Sequence, residues 1–137
     1  MIRILLDTNA YVAFKQGEKD AVETLRHVDR IGISVVVLGE LLAGFAAGKR
    51  QDYNQIELNV FLDSPRVTII PVDRDTTRFY ASIYKQLREK GKPVPTNDMW
   101  IAASALQHEH FVFTYDKHFG QISGLLVGSK LEDFFPT

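Results

Sequence analysis

Apolar residues fall along this chain in short runs separated by polar punctuation. Ile2 to Leu6 is rich in branched side chains and reads as a buried strand. Asp7, Thr8 and Asn9 follow, all residues that cap helices, and Tyr11, Val12 and Phe14 carry a short helix up to Gly17. Val22, Leu25 and Val28 recur at helical spacing and mark a second helix. Ile31 to Val35 reads as the second strand, and Leu38 to Gly48 as a helix stopped by glycine. Tyr53, Ile56, Val60 and Phe61 form another amphipathic stripe, closed by Ser64-Pro65. Val67 to Val72 is the third strand. Asp73 or Asp75 can cap a long helix whose apolar face is Phe79, Tyr80, Ile83, Tyr84 and Leu87, with Gly91 after its end. A loop from Gly91 to Asn97, stiffened by Pro93 and Pro95, leads to Asp98. From Met99 to Leu106 there is one hydroxyl and no charge, the pattern of a helix buried all round. Phe111 to Thr114 is the fourth strand, ending near Asp116, and Leu125 to Val127 a weak fifth.

Strands that alternate with helices imply an α/β fold, a parallel sheet of about five strands flanked by helices on both faces. Such sheets bind ligands beyond the carboxyl ends of their strands, where the strand order reverses. Polar residues just after strands are therefore the candidates for chemistry. Asp7 follows strand one and Asp116 follows strand four, while Asp98 begins the helix before strand four. Glu40 lies among Val35, Val36, Val37, Leu38, Leu41 and Leu42, with no Lys or Arg between Arg30 and Lys49. A carboxylate inside an apolar element needs a partner, and a cation is the obvious one. The acids also have local readings. Asp7 can serve as a strand-to-helix cap, Asp98 as a first-turn residue favoured by the helix dipole, and Asp116 as a turn residue. Gathered in one place, four carboxylates would repel unless a cation compensated. Oxygen ligands suit Mg²⁺ or Mn²⁺, and the matching chemistry is metal-dependent phosphodiester hydrolysis.

Composition narrows this picture. The 137 residues suit one domain, and 45% hydrophobic with 24% charged is a globular balance. The absence of cysteine excludes a disulfide scaffold and a thiolate metal site. Neither a signal peptide nor an apolar run of transmembrane length is visible, so the chain reads as a soluble cytoplasmic protein. The net charge of −1 says nothing about nucleic acid. With the four acids set aside as neutralised by metal, 13 acids (17 − 4) face 16 bases, a mild attraction for phosphate. Lys92, Lys117 and Arg50 are the basic candidates for RNA contact, and Lys49, Arg88, Lys90 and His118 stand near them in sequence.

Four blocks of the chain, LLDTNAYVAF, SVVVLGELLAG, LREKGKPVPTNDMWIAASAL and FVFTYDKHFGQISGLLV, resemble the PIN-domain ribonucleases. They are most similar to the VapC-type toxins of type II toxin–antitoxin pairs. The blocks run through nearly the whole chain in the family's order, so residues 1–137 are read as a single PIN domain. The resemblance implies that Asp7, Glu40, Asp98 and Asp116 are the catalytic, metal-holding acids. It also implies that Asn9, Asn97 and Thr114 orient carboxylates or waters around them. It further implies Mg²⁺- or Mn²⁺-dependent RNA cleavage leaving a 5′-phosphate and a 3′-hydroxyl, a homodimer, and a cognate antitoxin protein lying across the early helices.

Tyr11, Phe14, Phe45 and Tyr53 are candidates to line that antitoxin groove, and the small residues Gly44 to Gly48 would let another chain approach. Tyr80, Tyr84 and Trp100 could serve a dimer or simply pack. His108 and His110 sit two apart and do not share a helix face, so the pair reads as a helix end. An aspartyl-phosphatase fold would want a second Asp where Asn9 stands, and a receiver fold a paired acid beside Asp7. A housekeeping nuclease without a toxin role, or a non-catalytic module of the same fold, are the remaining alternatives.

Overall fold

The computed structural model describes residues 1–135. Five parallel strands, β1 (Arg3–Leu6), β2 (Arg30–Ser34), β3 (Val67–Ile70), β4 (Phe111–Phe113) and β5 (Val127–Gly128), form one sheet in the order β3-β2-β1-β4-β5. The chain builds outward from β1 to β3, then returns to the other side of β1. The order therefore reverses between β1 and β4, which is where such a sheet opens a crevice at its carboxyl ends. Helices α1 (Thr8–Lys15) and α2 (Lys19–His27) connect β1 to β2, and α3 (Val35–Ala47) with α4 (Gln51–Leu62) connects β2 to β3. Helices α5 (Arg74–Lys90) and α6 (Thr96–Gln107) span the return to β4, and the short α7 (Leu131–Phe134) closes the described chain. Among the described residues, no helix is long and apolar enough to cross a membrane.

Apart from Arg3 and Arg30 at their starts and Ser34 at the end of β2, the central strands are apolar because both faces are covered. Ile4, Leu5, Leu6, Ile33, Val112 and Phe113 are fully buried. Helix α6 is buried along most of its length: Met99 and Ile101 to Ala105 are all buried, and Trp100 is half-buried. Its alanines bring the backbone close to neighbouring elements. The main chain carrying Asp98 is thereby fixed.

Several boundaries differ from the sequence reading for definable reasons. Ser34 ends β2 and caps α3, its hydroxyl accepting from the Val36 amide at 3.1 Å. Val35 to Val37, β-branched and strand-like by composition, are thus the first turn of a helix. Pro71 has no N–H to continue the ladder, and β3 ends at Ile70 rather than Val72. The fifth strand lies slightly later than expected, at Val127–Gly128. Gly128 is required there, since a Cβ would fall 2.5 Å from Asp133 Cβ and 2.8 Å from the Phe134 ring. Asp73, not Asp75, caps α5, in a reciprocal pair with Thr76, and Gly91 ends it at φ 65°. Helix α6 begins two residues before Asp98, with Pro95 as its cap, so Asp98 belongs to the first turn and is not the cap itself.

The largest departure is α3. It is almost wholly apolar, yet only Val37 and Leu41 are buried, and Val35 and Leu42 are exposed. Glu40 is consequently half-buried rather than sealed in a core.

Candidate active site

Asp7 lies at the end of β1, where its backbone amide donates to the Phe113 carbonyl of β4 at 3.0 Å. This bond locks the β1 end to the β4 end. One carboxylate oxygen caps α1 by accepting from the Thr8 amide at 2.8 Å; the other accepts from the Thr114 hydroxyl at 2.7 Å. The same Thr114 oxygen accepts from the Asp116 amide at 3.0 Å. Thr114 therefore holds the two acids that follow β1 and β4 in one small network. Asn9 reaches across the same gap, its Oδ1 accepting from the Tyr115 amide at 3.1 Å.

Glu40 joins from α3. Its Oε1 accepts from the Thr8 hydroxyl at 2.6 Å and its Oε2 from the Asn97 amide group at 3.3 Å. A hydroxyl and an amide group thus hold this carboxylate, and half-burial leaves it open to water. Thr8 is a residue that sequence alone read only as a cap candidate, and nothing local reveals that its hydroxyl points at Glu40.

Asp98 comes from α6 with its side chain only 13% exposed. Burial, reinforced by the charges of Asp7 and Asp116, pushes its carboxyl up to about 6, against the opposing pull of His118. Burial also raises Asp7, with Glu40 and Asp116 adding to the effect and the Thr114 and Thr8 bonds opposing it. Two carboxyl groups held above their usual range, by burial first and by neighbouring acids second, mark a site short of positive charge. The tightest donor group is Asp98, Asp116 and His118, whose ligand atoms all lie within 4.8 Å of one another. Asp7 and Glu40 border this group through charge and through the Thr114, Thr8 and Asn97 bonds, without belonging to it. The donor set fits a hard divalent ion.

The basic candidates spread around this centre. Lys117 lines an open cleft with Thr114, Asp116 and Gly128. Lys92 lines a second one with Arg88, Tyr84 and Met99, the residue next to Asp98. Arg50 stacks over the Tyr53 ring at 4.1 Å, in a groove of about 380 Å³ between α1, α3 and α4. Tyr11, Phe45 and Tyr53 line that groove, but Phe14 does not. It turns to the other side, against Phe61. Tyr80 and Trp100 stack at 4.0 Å and join α5 to α6. His108 and His110 sit at the far end of α6, where His110 Nδ1 donates to the His108 carbonyl at 2.8 Å.

Residues 4–125 match the PIN domain. The chain belongs to the PIN-domain family. This PIN domain is 32% identical over 120 residues to the ribonuclease VapC5 of Mycobacterium tuberculosis, covering 88% of this chain and 87% of the relative. It is 31% identical over 128 residues to the ribonuclease VapC2 of Rickettsia felis, covering 90% and 94%. A crystal structure of VapBC2 from Rickettsia felis, bound to a promoter DNA fragment, superposes with a TM-score of 0.84 at 28% identity, over 93% of this chain and 98% of that one.

Proposed function

We propose that this PIN domain, residues 1–137, is a divalent-metal-dependent endoribonuclease and the toxin of a type II toxin–antitoxin pair. The observation that carries the reading is the convergence of Asp7, Asp98 and Asp116 at the β1/β4 switch point, with two of the three carboxyls raised by burial and mutual repulsion. In this reading Asp7, Asp98 and Asp116 hold Mg²⁺ or Mn²⁺, and Glu40 completes the cluster. The bound ion supplies an acidified water and a counter-charge for the phosphoryl group. Asn9 and Asn97 fix neighbouring groups, Asn9 at the Tyr115 amide and Asn97 at Glu40. Thr114 fixes the Asp7 carboxylate by donating to it, a support such centres need. Lys92 and Lys117 flank the acids and attract RNA phosphates; Arg50 is a more distant candidate.

The assembly follows the same reading. VapBC-5 from Mycobacterium tuberculosis, 29% identical, is a member of the VapBC family of toxin–antitoxin systems, and a segment of a cognate antitoxin fits the Tyr11, Phe45, Tyr53 groove beside the exposed apolar face of α3. A homodimer working in the cytoplasm is the corresponding state of the free toxin.

Because Asp98 must lose its proton to ligate, ion affinity depends on pH. Below about pH 6, the value to which its carboxyl is pushed, the apparent affinity for Mg²⁺ falls roughly tenfold per pH unit. Calorimetric titration from pH 5 to 8 measures this, and a pH-independent affinity contradicts it. The toxin role is tested in cells. Strong expression of the intact chain arrests growth, and co-expression of the small neighbouring reading frame restores it. Unimpaired growth contradicts the toxin reading and favours a housekeeping nuclease.

A further inference from the structure

We propose that His118 is itself a ligand of the divalent ion, and that its nitrogen makes the site favour Mn²⁺ over Mg²⁺. The proposal rests on reading the acids as a metal centre and adds a donor of a different kind to it.

The imidazole Nδ1 of His118 lies 2.9 Å from Asp116 Oδ1 and 3.4 Å from Asp98 Oδ2. Two ligands on neighbouring vertices of an octahedral ion, each about 2.1 Å from it, are themselves about 3 Å apart. Both separations are close to that spacing. Main-chain geometry directs the ring there. Asp116 caps the short 3₁₀ helix Lys117–Gln121 by accepting from the His118 amide at 2.9 Å, and this turns the backbone so that the side chain folds back over the acids. The ring is half exposed, so it has room to adjust. Asp7 stands beside this group, its two oxygens accepting from the Thr8 amide and the Thr114 hydroxyl. The other imidazoles are not part of this donor group. His27 Nδ1 sits on the Glu23 carbonyl, while His108 and His110 lie at the opposite end of α6.

The chemical consequence follows from donor type. Mg²⁺ holds to oxygen ligands and water, whereas first-row transition ions gain from an imidazole. A site of three or four carboxylates alone has little basis for discrimination; one with a nitrogen does. The competing role for His118 is that of a positioning residue, a donor that steadies Asp116 without touching the ion.

Pulsed electron paramagnetic resonance on the full chain titrated with Mn²⁺ separates the two. A directly bound imidazole imprints ¹⁴N modulation on the Mn²⁺ echo, which changes when the protein carries ¹⁵N-histidine and disappears in His118→Gln. Calorimetry of the same variant shows Mn²⁺ binding weakened about 10-fold and Mg²⁺ binding nearly unchanged. Mn²⁺ bound to the unaltered protein without histidine modulation overturns the proposal and leaves the acid centre standing, as does an equal loss for both ions. Failure of the unaltered protein to bind Mn²⁺ overturns both. Should His118→Gln not fold, the isotope comparison on the unaltered sequence decides alone.

Discussion

Replacing Asp98 with asparagine abolishes RNA cleavage and, in the absence of metal, makes the protein harder to unfold. The two effects have one cause. Burial and the charges of Asp7 and Asp116 raise the Asp98 carboxyl from 3.8 to about 6, which means the folded chain holds this carboxylate at a cost. A shift of about two pKa units corresponds to roughly 3 kcal/mol at most, and asparagine keeps the shape without the charge. With the lost His118 contact set against it, the expected gain is about 1–2 kcal/mol at neutral pH. The sign with pH is definite. Between 3.8 and about 6 the folded state retains a proton that the unfolded state has released, so stability falls as pH rises through that window. The advantage of Asp98→Asn is therefore absent below pH ~4 and complete above pH ~6. Comparing the two proteins is essential, because burial lowers His110 and gives it a pH trend of opposite sign nearby. Activity moves the other way: removal of a metal-holding charge costs on the order of 10³-fold in cleavage or more. Denaturant unfolding in chelator, paired with a cleavage assay, measures both. A variant that cleaves normally, or that is destabilised in metal-free buffer, contradicts the account.

Truncating Phe113 to alanine costs about 3–5 kcal/mol and takes the activity with it. Phe113 is fully buried in β4, between Phe134 and Tyr115, each with ring centres 5.7 Å away. Its backbone pairs with Leu6 on one side and Gly128 on the other, and its carbonyl accepts the Asp7 amide. A cavity here loosens the strand end that carries Thr114 and, two residues further, Asp116. Against a total stability of about 5–15 kcal/mol for a domain, the loss is severe. Urea unfolding followed by circular dichroism reads it, and a change under about 1 kcal/mol would show that β4 is not the anchor of the site.

Much of this architecture was legible in the chain because parallel sheets leave a plain signature. Ile2 to Leu6 and Phe111 to Thr114 are apolar runs ending in acids, and the fold requires their carboxyl ends to meet if the strand order reverses between them. The uncharged stretch after Asp98 likewise predicts a helix buried on all sides, and α6 is buried along most of its length. Other features depend on long-range pairing that no local pattern encodes. Val35 to Val37 look like strand until Ser34 caps a helix in front of them. The exposure of α3 is set by what does not pack on it, and this leaves Glu40 half-buried. Thr8 earned only a capping role from its position, while its hydroxyl is aimed at a residue 32 positions away. His118 reads as one more basic residue beside Lys117 until the 3₁₀ turn brings its ring over Asp98 and Asp116.

A metal-dependent ribonuclease centre built from these acids is tested directly by one measurement. Purified protein is incubated with end-labelled single-stranded RNA in Mg²⁺ or Mn²⁺, then with chelator, then with the ion restored. The account predicts cleavage leaving 5′-phosphate and 3′-hydroxyl ends, its loss with chelator and its return with the ion. Cleavage that continues undiminished in chelator would contradict it.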